Sequence, residues 1–227
     1  MKFNTGLTLI LLVTSAAATD YCRPGLCPRG RHVGCGNYGA FGPACFGTGQ
    51  LYNLTEDDKA FIVRLHNERR QEIASGSLNR YESAAHMKEI TWNDELAHVA
   101  CFNAKTCVFA HDSCRNTDAH PYAGQNLAIV GQSQGYKPFR EAYEDLHNQW
   151  FMEHQYCDMR NIRHFQNRAT RPGQQIGHFT QMVSDNVDQV GCCVSMFTKN
   201  RMKFVYIVCN YSYTNISNRA IYTPVKV

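Results

Sequence analysis

Eleven cysteines constrain this chain more than any other feature of its sequence. In a reducing compartment they would point to metal or redox chemistry; outside the cell they form a disulfide framework. The N terminus decides between the two. Lys2 gives a positive start, residues 7–13 an apolar stretch and Ala16-Ala17-Ala18 small residues for cleavage, which together read as a secretory signal peptide over residues 1–18. That stretch is shorter than the ~20 residues a membrane span needs, and no later segment is long enough. The sequence therefore predicts a secreted, extracellular protein without a transmembrane segment.

Hydrophobic residues at 44% and charged residues at 19% describe an ordinary globular chain, not a disordered one. A net charge of +4 is too mild for nucleic-acid binding. Three triplets match the glycosylation acceptor pattern, at Asn53, Asn210 and Asn215. Asn210 follows a cysteine inside a β-rich run, so Asn53 and Asn215 are the expected carriers.

Residues 19–54 hold Cys22, Cys27, Cys35 and Cys45 among many glycines. Such an arm cannot bury a core of its own and must be stapled to something else. Its cysteines form no C-x-x-C pair, which argues against a zinc knuckle. From residue 55 to 227 the pattern is that of one domain. Thr55 caps a first helix whose apolar face carries Phe61, Ile62, Leu65 and Ile73, and Gly76 ends it. A second helix starts near Asn93-Asp94 with Leu96, Val99, Ala100 and Ala104. A third starts at Pro138 and shows Phe139, Tyr143, Leu146 and Trp150 at helical spacing. Residues 126–130 read as a buried strand, and residues 190–197 and 203–211 as a terminal hairpin joined by residues 198–202. Helices come first and strands last, without a βαβ series, so the fold class is α+β with a small antiparallel sheet.

Two of the ten histidines stand out. His111 lies between Cys107 and Cys114, and His178 lies just before the hairpin. Imidazoles held on a rigid scaffold are common zinc ligands. His66, His86, His98, His120, His147, His154 and His164 read as ordinary surface or helix-face residues. Glu153 continues the apolar stripe of the third helix, where a carboxylate needs a partner unless the helix end turns it into solvent. Arg160, Arg163, Arg168 and Arg171 stand against a single Asp158 over residues 158–173, either as a solvated loop or as a contact for an acidic partner such as a sulphated glycan.

Several segments resemble the CAP superfamily, the cysteine-rich secretory, antigen 5 and pathogenesis-related proteins. The strongest are Gly177-His178-Phe179-Thr180-Gln181-Met182-Val183 and Val208-Cys209-Asn210-Tyr211. Trp92-Asn93-Asp94-Glu95-Leu96-Ala97, His111-Asp112-Ser113-Cys114-Arg115-Asn116 and Gly124-Gln125-Asn126-Leu127-Ala128 are typical of the insect antigen 5 proteins of venom and fly saliva. The resemblance covers nearly all of the chain after residue 18. It implies an α-β-α sandwich, stapled by disulfides, with a cleft tetrad of His111, Gln125, Glu153 and His178. In that tetrad His111 and His178 would bind zinc. Gln125 replaces the Glu of many relatives, and Ser184 replaces a usual Trp. The implied disulfides are Cys22–Cys35, Cys27–Cys114, Cys45–Cys107 and Cys192–Cys209. Cys101, Cys157 and Cys193 are left over; a Cys157–Cys193 bridge fits the count, and the odd thiol would be free or bonded between molecules.

An amide neither takes a proton from water nor carries a negative charge, so paired-carboxylate chemistry is not available at Gln125. The expected function is therefore a secreted, non-enzymatic antigen 5-like protein with a weak zinc site. Its expected partners are a small lipid of sterol or fatty-acid type, with Phe61, Ile62 and Leu65 as one wall, or an extracellular protein or glycan. The alternatives are a zinc-dependent hydrolase and a structural extracellular protein without a ligand.

Overall fold

A computed structural model describes residues 19–225. The expected signal peptide lies outside the described residues. In chain order the elements are β1 (Gln50–Leu51), α1 (Glu56–Ala74), β2 (Thr91–Trp92), α2 (Asp94–Ala104), β3 (Gly124–Gln132), α3 (Phe139–Met152), α4 (Met159–Arg163), α5 (Gly177–Met182), β4 (Gln189–Lys199) and β5 (Met202–Tyr211).

The sheet is built on the terminal hairpin. β4 and β5 pair antiparallel from Val190↔Tyr211 to Lys199↔Met202. Asn200 and Arg201 alone make the turn, both left-handed at φ 50° and 62°. That geometry suits the right-handed twist of paired strands, so the five-residue connection expected from sequence is a two-residue turn. β3 adds antiparallel to β5 over nine residue pairs, β1 adds antiparallel to β4, and β2 pairs parallel with β4.

Strand alternation assigns the two faces of the sheet. Val190, Cys192 and Val194 of β4 join Val205, Ile207 and Cys209 of β5 in the larger core, beneath Ile62, Tyr143, Trp150 and Phe179 of α1, α3 and α5. Cys193, Phe197, Tyr206 and Val208 face the other way, towards Ala100 and Ala104 of α2. The result is a three-layer α-β-α sandwich. α2 rests directly on β4, because a Cβ on Gly191 would lie 2.2 Å from the Ala97 nitrogen and 2.3 Å from the Asn93 carbonyl.

The caps follow the sequence closely. Thr55 and Asp58 form a reciprocal capping box on α1, Asn93 caps α2 through Leu96, and Gly76 follows the end of α1 at φ 71°. The buried stripe of α1 is more polar than its periodicity predicts, since Asp58, His66 and Arg70 are buried beside Ile62 and Ile73. All five N–H bonds of Arg70 reach backbone carbonyls: Lys88 twice, and Met182, Ser184 and Val187 at 2.8–3.0 Å. This one guanidinium ties α1 to the segment that follows α5.

All four implied disulfides are present, and a fifth joins Cys101 to Cys193. The Cys157–Cys193 alternative is thereby corrected. Cys192 and Cys193 are neighbours on a strand and point to opposite faces, so Cys192 bonds across the hairpin to Cys209 while Cys193 reaches α2. Cys157 is left as a free thiol, buried at 2% exposure, which removes the intermolecular bond as its fate in the folded chain. Two disulfides, Cys27–Cys114 and Cys45–Cys107, fasten the arm on either side of His111.

Candidate functional site

His178 sits in the first turn of α5, and Glu153 in the 3-10 turn that follows α3. One Glu153 oxygen accepts from Nδ1 of His178 at 2.6 Å; the other accepts the backbone N–H groups of His178 and Phe179 at 2.9 and 3.1 Å. Glu153 therefore faces a partner and not solvent, which resolves the two sequence readings of its position. The imidazole stacks on Trp150 with ring centroids 5.9 Å apart. Because a carboxylate can only accept, Nδ1 of His178 is the protonated nitrogen and Nε2 is left as a bare lone pair.

The second histidine reaches the same condition by a different route. Nδ1 of His111 lies 2.7 Å from Oε1 of Gln125 on β3. The amide nitrogen of Gln125 donates to Oδ2 of Asp112 at 2.8 Å and to Oδ1 of Asn210 at 3.0 Å. A flipped amide would set its oxygen against two acceptors, so Oε1 must face His111 and Nδ1 of His111 must donate. Asp112 also accepts from Asn103 and Arg115, and Asn210 donates to the Leu96 carbonyl. Loss of hydration at the cleft wall holds the His111 imidazole below its usual pKa, and the Arg115 charge acts in the same direction against the Gln125 hydrogen bond.

His111 and His178 line one open cleft of about 530 Å³. Gln125, Asn126, Asn167, Gln174, Gln175, Gln181 and Asn215 supply amides to its walls and Arg115 a charge, while Glu153 stands behind His178. Among the described residues no group of three or more His, Cys, Asp and Glu side chains is placed to hold a metal ion. The cleft can thus offer two imidazole lone pairs and hydrogen-bonding amides. The residues fit a metal bound mainly through nitrogen and water, and they do not fit a closed four-ligand site.

A polar relay supports the floor of the cleft. His66 donates from Nδ1 to the Ile62 carbonyl, and its Nε2 accepts from the Tyr211 hydroxyl at 2.9 Å. Asn126 donates to that hydroxyl and to the His178 carbonyl, both at 3.2 Å. His66 and His147 lie on the buried faces of α1 and α3, in keeping with the helix-face reading and not the surface one.

The remaining candidates fall as follows. Asn53 is exposed, in keeping with a glycan carrier. Asn215 is half-buried at the cleft wall, where its amide hydrogens reach Thr180 and the Gly177 carbonyl. In the arginine-rich segment Arg160 pairs with Asp158 and Arg163 with Glu82, while Arg168 and Arg171 are exposed. In the first-helix stripe Ile62 is fully buried and Phe61 lies against the guanidinium groups of Arg64 and Arg140, so these side chains are occupied within the fold. Asp112, Asn210 and Arg70 were not read as supporting residues. Asp112 had a signal, being the carboxylate next to His111.

The chain is similar in sequence and fold to several known proteins. The family model for the cysteine-rich secretory protein family matches residues 63–211. Venom allergen-1 of Aedes aegypti is 40% identical over 96% of this chain and 84% of its own length. Venom allergen 5 of Vespula maculifrons is 34% identical over 98% of this chain and 99% of its own. Among solved structures, NaASP2 with Zn2+ superposes with a TM-score of 0.58 at 26% identity, covering 76% of this chain and 88% of the other. BmVAL-1 shares the fold with a TM-score of 0.63 at 22% identity, covering 77% and 85%.

Proposed function

Since the chain belongs to the cysteine-rich secretory protein family, we propose that it is a secreted, non-enzymatic antigen 5-like protein whose cleft holds zinc weakly through His111 and His178. The observation that carries this reading is the fixed Gln125 amide, which leaves Nε2 of His111 bare, as Glu153 does for His178. Zinc in such a place would act as a Lewis acid with water at its remaining positions. A relative solved with Zn2+ supports the choice of metal. Secretion is supported by five disulfides, and no helix among the described residues is long and apolar enough to cross a membrane.

The hydrolase alternative is less well supported because the cleft lacks a free carboxylate. Glu153 is engaged by three donors, and Gln125 stands at the position where a second carboxylate would be needed. Titration calorimetry tests the proposal. His111→Ala and His178→Ala should each remove most zinc affinity while circular dichroism stays unchanged; undiminished binding in His178→Ala would overturn it. Esterase or peptidase activity that disappears with Glu153→Ala would establish the hydrolase instead.

A further inference from the structure

Three exposed apolar side chains gather around the Cys45–Cys107 disulfide. Phe46 follows one cysteine, Val108 and Phe109 follow the other, and they are 59%, 49% and 55% exposed. Phe46 and Cys107 both adopt left-handed backbone, at φ 52° and 55°, which bulky residues rarely do. Phe46 extends towards Lys199 at the hairpin end, 5.9 Å from its ring, and Phe109 lies edge-on to Tyr206 of β5.

The surrounding charge has one sign. Residues 37–50, 105–110 and 195–204, which build this end, contain no Asp or Glu. They contain Lys105, Lys199, Arg201 and Lys203, none of which makes a salt bridge among the described residues. Elsewhere Arg64, Arg69, Lys137 and Arg163 are each held by a carboxylate. Unpaired cations beside exposed phenylalanines on a rigid, disulfide-bound platform suit an interface that is negative outside and apolar beneath.

We propose that this end of the molecule docks on an anionic lipid surface, with Phe46, Val108 and Phe109 entering the headgroup boundary and Lys105, Lys199 and Arg201 meeting the headgroups; Lys203 lies on the opposite face of the sheet, over Tyr136. A soluble polyanion would satisfy the cations and leave the phenylalanines without a role. The docking face is separate from the zinc reading and stands or falls without it.

Sedimentation with lipid vesicles is the test, using phosphatidylcholine alone and phosphatidylcholine mixed with phosphatidylserine. The protein should pellet with the mixed vesicles only, and high salt should release it. Lys199→Glu with Arg201→Glu should weaken binding at least ~20-fold, taking about fivefold for each surface charge lost. Phe46→Ser with Phe109→Ser should weaken it about tenfold at an unchanged thermal midpoint. Equal pelleting of the protein and its charge-reversed variant overturns the proposal. So does failure to bind either vesicle, including the case where heparin retains the protein through Lys199 and Arg201.

Discussion

Nε2 of Gln125 donates to Oδ2 of Asp112 across 2.8 Å, so a carboxylate stands behind the amide and not in the cleft. The negative charge is thus held one hydrogen bond behind the strand. It cannot serve as a base from there, but it does set which nitrogen of His111 carries the proton.

Replacing Asp112 should therefore disturb a histidine that it does not touch. In Asp112→Asn the new amide cannot accept from Asn103, Gln125 and Arg115 together, and the Gln125 side chain loses its fixed orientation. Zinc affinity should drop about tenfold, the lower end for a residue that orients a metal ligand. Nitrogen NMR of the metal-free protein should show mixed His111 tautomers. A single Nδ1–H form in the variant would rule out the relay, whatever the zinc titration gives.

Glu153→Gln tests the other half of the cleft. A glutamine can accept with one atom only, so either the α5 backbone N–H groups or the His178 ring loses its partner. Zinc binding should weaken about 10–100-fold. Stability should fall by about 1–3 kcal/mol through the unsatisfied donors. Unaltered calorimetry would show that the carboxylate does not orient His178.

Peptide mapping should recover Cys101 linked to Cys193 and Cys192 linked to Cys209. Burial pushes the Cys157 thiol up to about 12, so it should resist iodoacetamide until the chain is unfolded. Rapid alkylation of Cys157 in the native protein would contradict its place in the core.

Acid should destabilise the fold through its buried imidazoles. Burial brings His66 down to about 4, helped by the nearby Arg70 charge, and burial beside His66 and Arg69 lowers His147 well below its usual value. Both are neutral in the folded state, whereas the unfolded chain takes up protons near pH 6.5. Stability is thus retained above about pH 6.5 and lost as pH falls towards 4, by roughly 3 kcal/mol for His66 alone. Melting curves across that range should show the decline, and His147→Phe should make it shallower. A flat profile would mean that both rings take up protons inside the fold as readily as in the unfolded chain.

Arg70→Met should be among the most damaging single substitutions outside the cysteines. It leaves the carbonyls of Lys88, Met182, Ser184 and Val187 without their donor, at a cost of at least about 3 kcal/mol. Chemical denaturation measures it directly; a loss below about 1 kcal/mol would show that water replaces the guanidinium.

Where the sequence was legible, the signal was local. Thr55, Asn93 and Pro138 marked helix starts to within a residue, and the apolar spacing of α3 named four buried side chains correctly. The tetrad was legible through motifs, and so were four disulfides. What escaped depends on contacts between distant segments. The Cys101–Cys193 bond requires knowing that α2 lies on the face of β4 opposite Cys192, which no spacing reveals. Arg70 looked like one more charge on a helix because its carbonyl partners lie up to 117 residues away. The short α4 and α5 helices were missed because five or six residues carry too little periodicity to be seen.

Gly191 shows how far such a dependence can extend. Its missing side chain lets the first turn of α2 settle on β4, which brings the Leu96 carbonyl within 3.3 Å of the Asn210 amide nitrogen. That contact aims the Asn210 oxygen at Gln125, which in turn faces His111. The chemistry of the cleft thus has a mechanical tolerance of one methyl group, set on a strand that supplies none of its ligands. Variation at that glycine would act as a fault in alignment, altering metal affinity with every cleft residue still in place.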